Sequence, residues 1–300
     1  MVSRPRRWIA AIAFIVVAGS CTDDGSEAGS TSSTTPPNSG ATATSVLRPV
    51  APPGQVIVAQ RFLVGWWDGA RWLPADPNRR EPAAAEVPLA VGSRYTFVSI
   101  DGRRLSRTIG NSTPDCIGPE RIYVEVPDDV ADMVGVAESV EPLPRPVVQI
   151  AAAPAHHDSV RAWLEGEGIV SPQVSIDRVT RADIEGDGVD EVLIEASLHA
   201  GGSLIGRAAG DYSVVLLRRI DGPEVETVLV SGDVVTQDEV SVDGFPGGYL
   251  DTSHLLAVAD VDGDTWLEVV VGMRQWEWVG VAVYAWNGRA IDDVIVAGCG

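Results

Sequence analysis

The chain has 300 residues, with 42 acidic against 22 basic side chains and a formal net charge of −20. That surplus excludes nucleic acid as a partner, because phosphate binding needs a basic footprint, and it disfavours peripheral adhesion to anionic lipid. With 45 % hydrophobic residues the chain is large enough for one large or two small domains with real cores.

At the N-terminus Arg4, Arg6 and Arg7 precede an apolar run from Trp8 to Ala18. A run of about eleven residues is too short to span a bilayer core, and its charged start and small-residue end are those of an export signal. The stretch Ala18-Gly19-Ser20-Cys21 resembles a bacterial lipobox. The resemblance implies that residues 1–20 are a lipoprotein signal peptide and that Cys21 carries the lipid. The protein is then expected at the cell membrane, anchored on its extracytoplasmic face. The other reading is an ordinary secretory peptide that happens to precede a Cys. Without the three signal arginines 19 basic residues remain, and the charge becomes −23. Every basic residue is Arg and none is Lys, which with abundant Ala, Gly, Pro and Val points to a high-GC, actinobacterial genome.

Residues 21–54 are mostly Ser, Thr, Pro, Gly, Ala and Asn or acidic, with almost no apolar bulk. Such a segment cannot offset its ordering entropy by burial and is expected to be a disordered tether. Its reach is roughly 30 Å by the square-root rule.

Residues 55–146 read as an N-terminal β-rich domain. Apolar runs at Val56–Val58, Arg61–Trp67, Tyr95–Ile100 and Arg121–Val126 are separated by turn signals such as Asp68-Gly69, Asp101-Gly102 and Pro127-Asp128. Pro142, Pro144 and Pro146 mark a stiff boundary before a second region, 147–300. One helix is predicted over Ser159–Glu165, capped by His157 or Asp158, with Val160, Trp163 and Leu164 on one face and Gly166 or Gly168 at its end.

The second region holds two acidic turns, Asp183-Ile184-Glu185-Gly186-Asp187-Gly188-Val189-Asp190-Glu191 and Asp260-Val261-Asp262-Gly263-Asp264-Thr265-Trp266-Leu267-Glu268, 77 residues apart. Each places carboxylates at positions 1, 3, 5 and 9 of a loop. A hard cation takes six to eight oxygens, and alternate positions of a curled loop aim their oxygens at one point while position 7 lends its backbone carbonyl. Calcium is therefore expected at Asp183, Glu185, Asp187, Val189 and Glu191, and at Asp260, Asp262, Asp264, Trp266 and Glu268. A solvated acidic turn is the plainer alternative. Position 12, Ile194 or Val271, is not the Glu of an EF-hand, and a β-branched run follows each turn. Thr265 stands where the first copy has Gly188; a β-branched residue is strained there if φ is positive, so the first loop is expected to bind the more tightly.

The pattern D-x-(D/E)-G-D-x-x-x-E followed by a strand resembles the FG-GAP or VCBS-type repeat, from about residue 174 to 300. The resemblance implies calcium loops on β-propeller-like blades of an exported bacterial protein, and no assigned reaction. After each turn come a strand, a Gly-bearing loop, a second strand ending in Asp221-Gly222 or Asn287-Gly288, and a third apolar run. Repeats of this kind stack into a shared core.

Besides Cys21 the cysteines are Cys116 and Cys299. An even remainder in an exported chain favours a disulfide, two free thiols being the alternative. His156, His157, His199 and His254 lack metal-pair spacing, no Gly-x-Ser-x-Gly surrounds a serine, and neither Gly201-Gly202 nor Gly244–Gly248 has P-loop or Rossmann spacing. Trp66, Trp67, Trp72, Trp276 and Trp278 are candidates for a binding surface for protein or glycan, or for core packing between sheets. The fold expected is mainly β, with two FG-GAP-like repeats, an N-terminal β region and one short helix. The function expected is that of a lipid-anchored, calcium-binding module of the cell envelope with a binding or structural role. A cell-envelope hydrolase acting on glycan or ester is the alternative.

Overall fold

The computed structural model describes residues 55–69, 71–75, 92–110, 112–114, 122–199, 207–221, 224–237, 250–275 and 278–299. Cys21, the tether, Trp276, the glycine loops at 201–202 and 244–248, and the pairing of Cys116 with Cys299 lie outside the residues and side chains described. Among the described residues the fold is mainly β, with three antiparallel sheets, one short helix and no propeller.

The first sheet has eight strands: β1 (Gln55–Ala59), β2 (Phe62–Trp67), β3 (Trp72–Pro74), β4 (Arg94–Val98), β5 (Arg104–Thr108), β6 (Ser112–Pro114), β7 (Ile122–Val124) and β8 (Val134–Ala137). They run in the order β5-β4-β8-β1-β2-β7-β6, with β3 paired to β2. The β1–β2 turn is unusual because both central residues, Gln60 (φ 49°) and Arg61 (φ 65°), are left-handed without being glycine. A two-residue hairpin of the type I′ class demands that conformation of both central residues whichever they are.

The second sheet is a meander of β9 (Val147–Ile150), β10 (Ile176–Ala182), β11 (Glu191–Leu198), β12 (Tyr212–Asp221) and β13 (Glu224–Val234). The third is a meander of β14 (Thr252–Ala259), β15 (Glu268–Arg274), β16 (Val279–Trp286) and β17 (Ile291–Cys299). Strand pairing makes the repeat visible. Ala182 pairs with Glu191 across β10–β11 and Ala259 pairs with Glu268 across β14–β15, so each acidic turn closes the same hairpin at the same register.

Helix α1 spans Pro154–Gly166, starting five residues earlier than the sequence pattern suggests. Pro154 sits at a position where its missing N–H costs nothing. The ring of His156, buried at the start of the helix, accepts the Ala153 N–H through Nδ1 (3.0 Å). Gly168, at φ 100°, ends the helix, and the Ile169 N–H returns to the Leu164 carbonyl.

Val160 and Leu164 of α1 pack on one face of the second sheet, against Val179, Ile194, Tyr212, Val214 and Leu216. The other face turns Leu193, Val215 and Leu217 into a core shared with Ile57, Val64 and Val136 of the first sheet and with Val269, Val270, Val271, Val281 and Val283 of the third. A strand covered on both faces reads as a continuous apolar run rather than an alternating one, which accounts for the sequence of β12. The first and third sheets also meet closely. A Cβ placed on Gly65 in β2 would lie 2.0 Å from Cδ1 of Ile295 in β17 and 2.4 Å from the Leu73 carbonyl oxygen.

Gly65→Ala is therefore expected to force these sheets apart and to destabilise the protein by about 1–3 kcal/mol, the range for overpacking a filled core. Denaturant unfolding monitored by tryptophan emission measures it. Unchanged stability would mean that the first sheet does not pack on β17 as described.

Candidate metal centre

Each acidic turn is wound on its own first carboxylate. In the second loop the Gly263 N–H donates to Asp260 Oδ1 (2.6 Å) and the Thr265 N–H to Asp260 Oδ2 (2.8 Å). The Asp264 N–H donates to Asp262, the Trp266 N–H to Asp264, and the Val261 N–H to Glu268 Oε2 (3.0 Å). The first loop repeats the scheme. Gly186 and Gly188 donate to Asp183, Val189 to Asp187, and Ile184 to Glu191. The glycines at position 4, Gly186 and Gly263, have φ of 75° and 84°. At position 6 Gly188 has φ 86° and Thr265 has φ 76°, so the strain expected of Thr265 is present. A non-glycine residue held there costs on the order of 1–3 kcal/mol.

The two loops differ in where their carboxylates point. In the second, oxygens of Asp260, Asp262 and Glu268 all lie within 4.8 Å of one another, and all three residues are buried. Like charges at that separation repel by about 3 kcal/mol per pair at an effective dielectric of ~20, so the trio favours a cation or protons between its members. Its donor set, carboxylate oxygen alone, is that of a hard divalent cation. Asp264 is buried beside them, and Trp266 sits in the shared core.

The first loop assembles no comparable group among the described residues. Its acids face arginines. Arg219 Nη2 of β12 lies 3.2 Å from Glu185 Oε1, its guanidinium 4.4 Å above the ring of Trp286. Arg145 Nε lies 3.7 Å from Asp183 Oδ2. Burial raises the pKa of Glu185 and pushes Glu191 up to about 7; the charges of Glu185 and Asp187 add to the rise in Glu191, while its bond from the Ile184 N–H opposes it. The residue pattern favours this loop, yet the convergent carboxylates are those of its partner. The extra glycine eases the turn without aiming the side chains.

The loops are neighbours. The Leu267 N–H donates to the Ile184 carbonyl (3.1 Å), and the Asp260 N–H donates to the carbonyl of Pro142 (2.9 Å), so the proline-rich segment expected as a boundary runs against the second loop. Arg145 and Arg219 carry no motif and do not stand out in the sequence. Nothing local marks either: Arg145 is 38 residues from Asp183 and Arg219 is 34 from Glu185.

Of the other candidate residues, Trp66 is buried, and Trp67 and Trp72 form an edge-to-face pair with centroids 5.8 Å apart. The indole of Trp278 lies over Gly280 and Gly298, where any Cβ would come within about 2 Å of it. Ser231 and Ser253 bond Oγ to Oγ at 3.0 Å. His254, next in sequence, instead meets Gln60 at 3.2 Å. Burial lowers the His254 pKa, Arg178 lowers it further and Asp132 opposes.

Because the folded-state pKa of His254 is depressed, its contribution to stability is full above the ordinary value of 6.5 and is lost as pH falls through the folded-state value. His254→Gln is expected to flatten the loss of melting temperature on acidification below pH 6.5 while leaving the Gln60 side within reach of an amide. A variant whose pH profile parallels the wild type would show that His254 is not held neutral.

Comparison of the chain with protein-family models, with curated proteins and with solved structures finds no match.

Proposed function

We propose that this protein is a calcium-binding β-repeat module held on the outer face of a bacterial cell membrane by lipid at Cys21, with a binding or structural role toward a protein or glycan partner. The observation that carries the calcium reading is the buried convergence of Asp260, Asp262 and Glu268 in the second loop. Calcium suits it better than magnesium, which keeps several waters and demands near-octahedral geometry, whereas a dry nest of carboxylates with a backbone carbonyl at Trp266 suits a larger and more tolerant ion. The FG-GAP-like reading is supported by two four-stranded meanders, β10–β13 and β14–β17, each with its acidic turn between its first two strands. The cation's role is structural. It neutralises charge at the hub of the shared core and so fixes the hairpin that carries the loop.

Calcium at a hundredfold excess over its dissociation constant stabilises a protein that binds it only when folded by about 2.7 kcal/mol. The melting temperature is expected to rise with calcium, to lose that response in Asp262→Asn, and to keep it in Asp187→Asn. The opposite ranking of the two variants would move the site to the first loop, and an unresponsive wild type would end the calcium reading. For the anchor, Cys21→Ser is expected to release the protein from the membrane fraction; retention there would refute lipid attachment at this residue.

A further inference from the structure

Thr265 is the second loop's weak point: a β-branched residue at φ 76° where the first loop has Gly188 at 86°. Its two peptide groups are both held. Its N–H donates to Asp260 Oδ2 (2.8 Å), and its carbonyl accepts from Arg145 Nη2 (2.7 Å). The same guanidinium donates through Nε to the Asp183 carbonyl (2.7 Å) and through Nη2 to the Ile184 carbonyl (3.1 Å) of the first loop. One planar, permanently charged group thus grips the backbone of both acidic turns. It also fills the space over the first loop, since a Cβ on Gly186 would lie 2.9 Å from Arg145 Nη1. Arg145 sits between Pro144 and Pro146, on the segment whose Pro142 carbonyl takes the Asp260 N–H. Prolines on either side restrict the backbone from which the side chain reaches out.

We infer that Arg145 is a positioning residue for the second loop: by holding the Thr265 carbonyl it keeps the strained turn in the shape that brings Asp260, Asp262 and Glu268 together, and it ties that shape to the first loop. The inference rests on the calcium reading only for its consequence in binding; the grip on Thr265 exists without a metal. Glycine in place of Thr265 takes the left-handed conformation without strain, so Arg145 should matter much less in Thr265→Gly, where only its hold on the first loop remains. Lysine cannot replace the arginine, because an ammonium presents no planar fork to three carbonyls.

The test is a double-mutant cycle of Arg145→Gln and Thr265→Gly, read twice. Without metal, Arg145→Gln should lower the melting temperature clearly when residue 265 is threonine and by less than half as much in the Thr265→Gly background; equal losses overturn the inference. In a calcium titration, Arg145→Gln should weaken binding at least tenfold, Arg145→Lys should not restore it, and Thr265→Gly added to Arg145→Gln should. Unaltered affinity in Arg145→Gln, or no recovery with Thr265→Gly, overturns the inference. A wild type that takes up no calcium refutes the calcium reading instead, and the metal-free cycle still decides whether Arg145 holds the turn. Should Arg145→Gln fail to fold, Arg145→Lys takes its place in the metal-free cycle with the same expected and overturning results.

Discussion

Carboxylates are costly to remove from water, and Asp260, Asp262, Asp264 and Glu268 are each 1–4 % exposed in the core where the three sheets meet. Burial is possible because the turn supplies its own donors. Backbone N–H groups of Val261, Gly263, Asp264, Thr265 and Trp266 all point inward at these oxygens. A carboxylate oxygen has more than one lone pair, so accepting a backbone N–H leaves capacity for a cation. The winding of the loop therefore prepares the site. What it does not remove is the mutual repulsion of the trio, which a cation held between them would relieve.

The two turns show how one backbone motif can meet different electrostatic ends. Their hydrogen bonds correspond nearly atom for atom, and their hairpins close at the same register. In the first, arginines from neighbouring segments supply the positive charge: Arg219, stacked on Trp286, reaches Glu185, and Arg145 reaches Asp183. A guanidinium that is part of the chain offsets these charges without a binding equilibrium. In the second, the acids converge on one another.

Much of this is legible in the residues. The spacing of carboxylates at positions 1, 3, 5 and 9 locates both turns, the β-branched runs after them locate β11 and β15, and Thr265 announces a strained backbone. The internal repeat emerges from the same comparison and coincides with two meanders of like register. What the residues do not convey comes from long-range geometry. Which carboxylates of a turn converge is set together with contacts from far along the chain: Arg219 is 34 residues from Glu185, while Arg145 is 120 from Thr265. The start of α1 escapes the sequence pattern because the N-cap is Ala153, whose N–H is taken by the ring of His156 rather than by a hydroxyl or carboxylate. In the first sheet the apolar runs locate β1, β2, β4 and β7, but the pairing order β5-β4-β8-β1-β2-β7-β6 does not follow the chain and leaves no local signal.

The most direct test of the central claim is a terbium titration followed by luminescence, since terbium takes oxygen ligands as calcium does and the indole of Trp266 belongs to the loop that would hold it. One ion bound per chain, with emission sensitised through tryptophan and displaced by calcium, is the result predicted. No sensitised emission, or two ions bound with equal affinity, would contradict it.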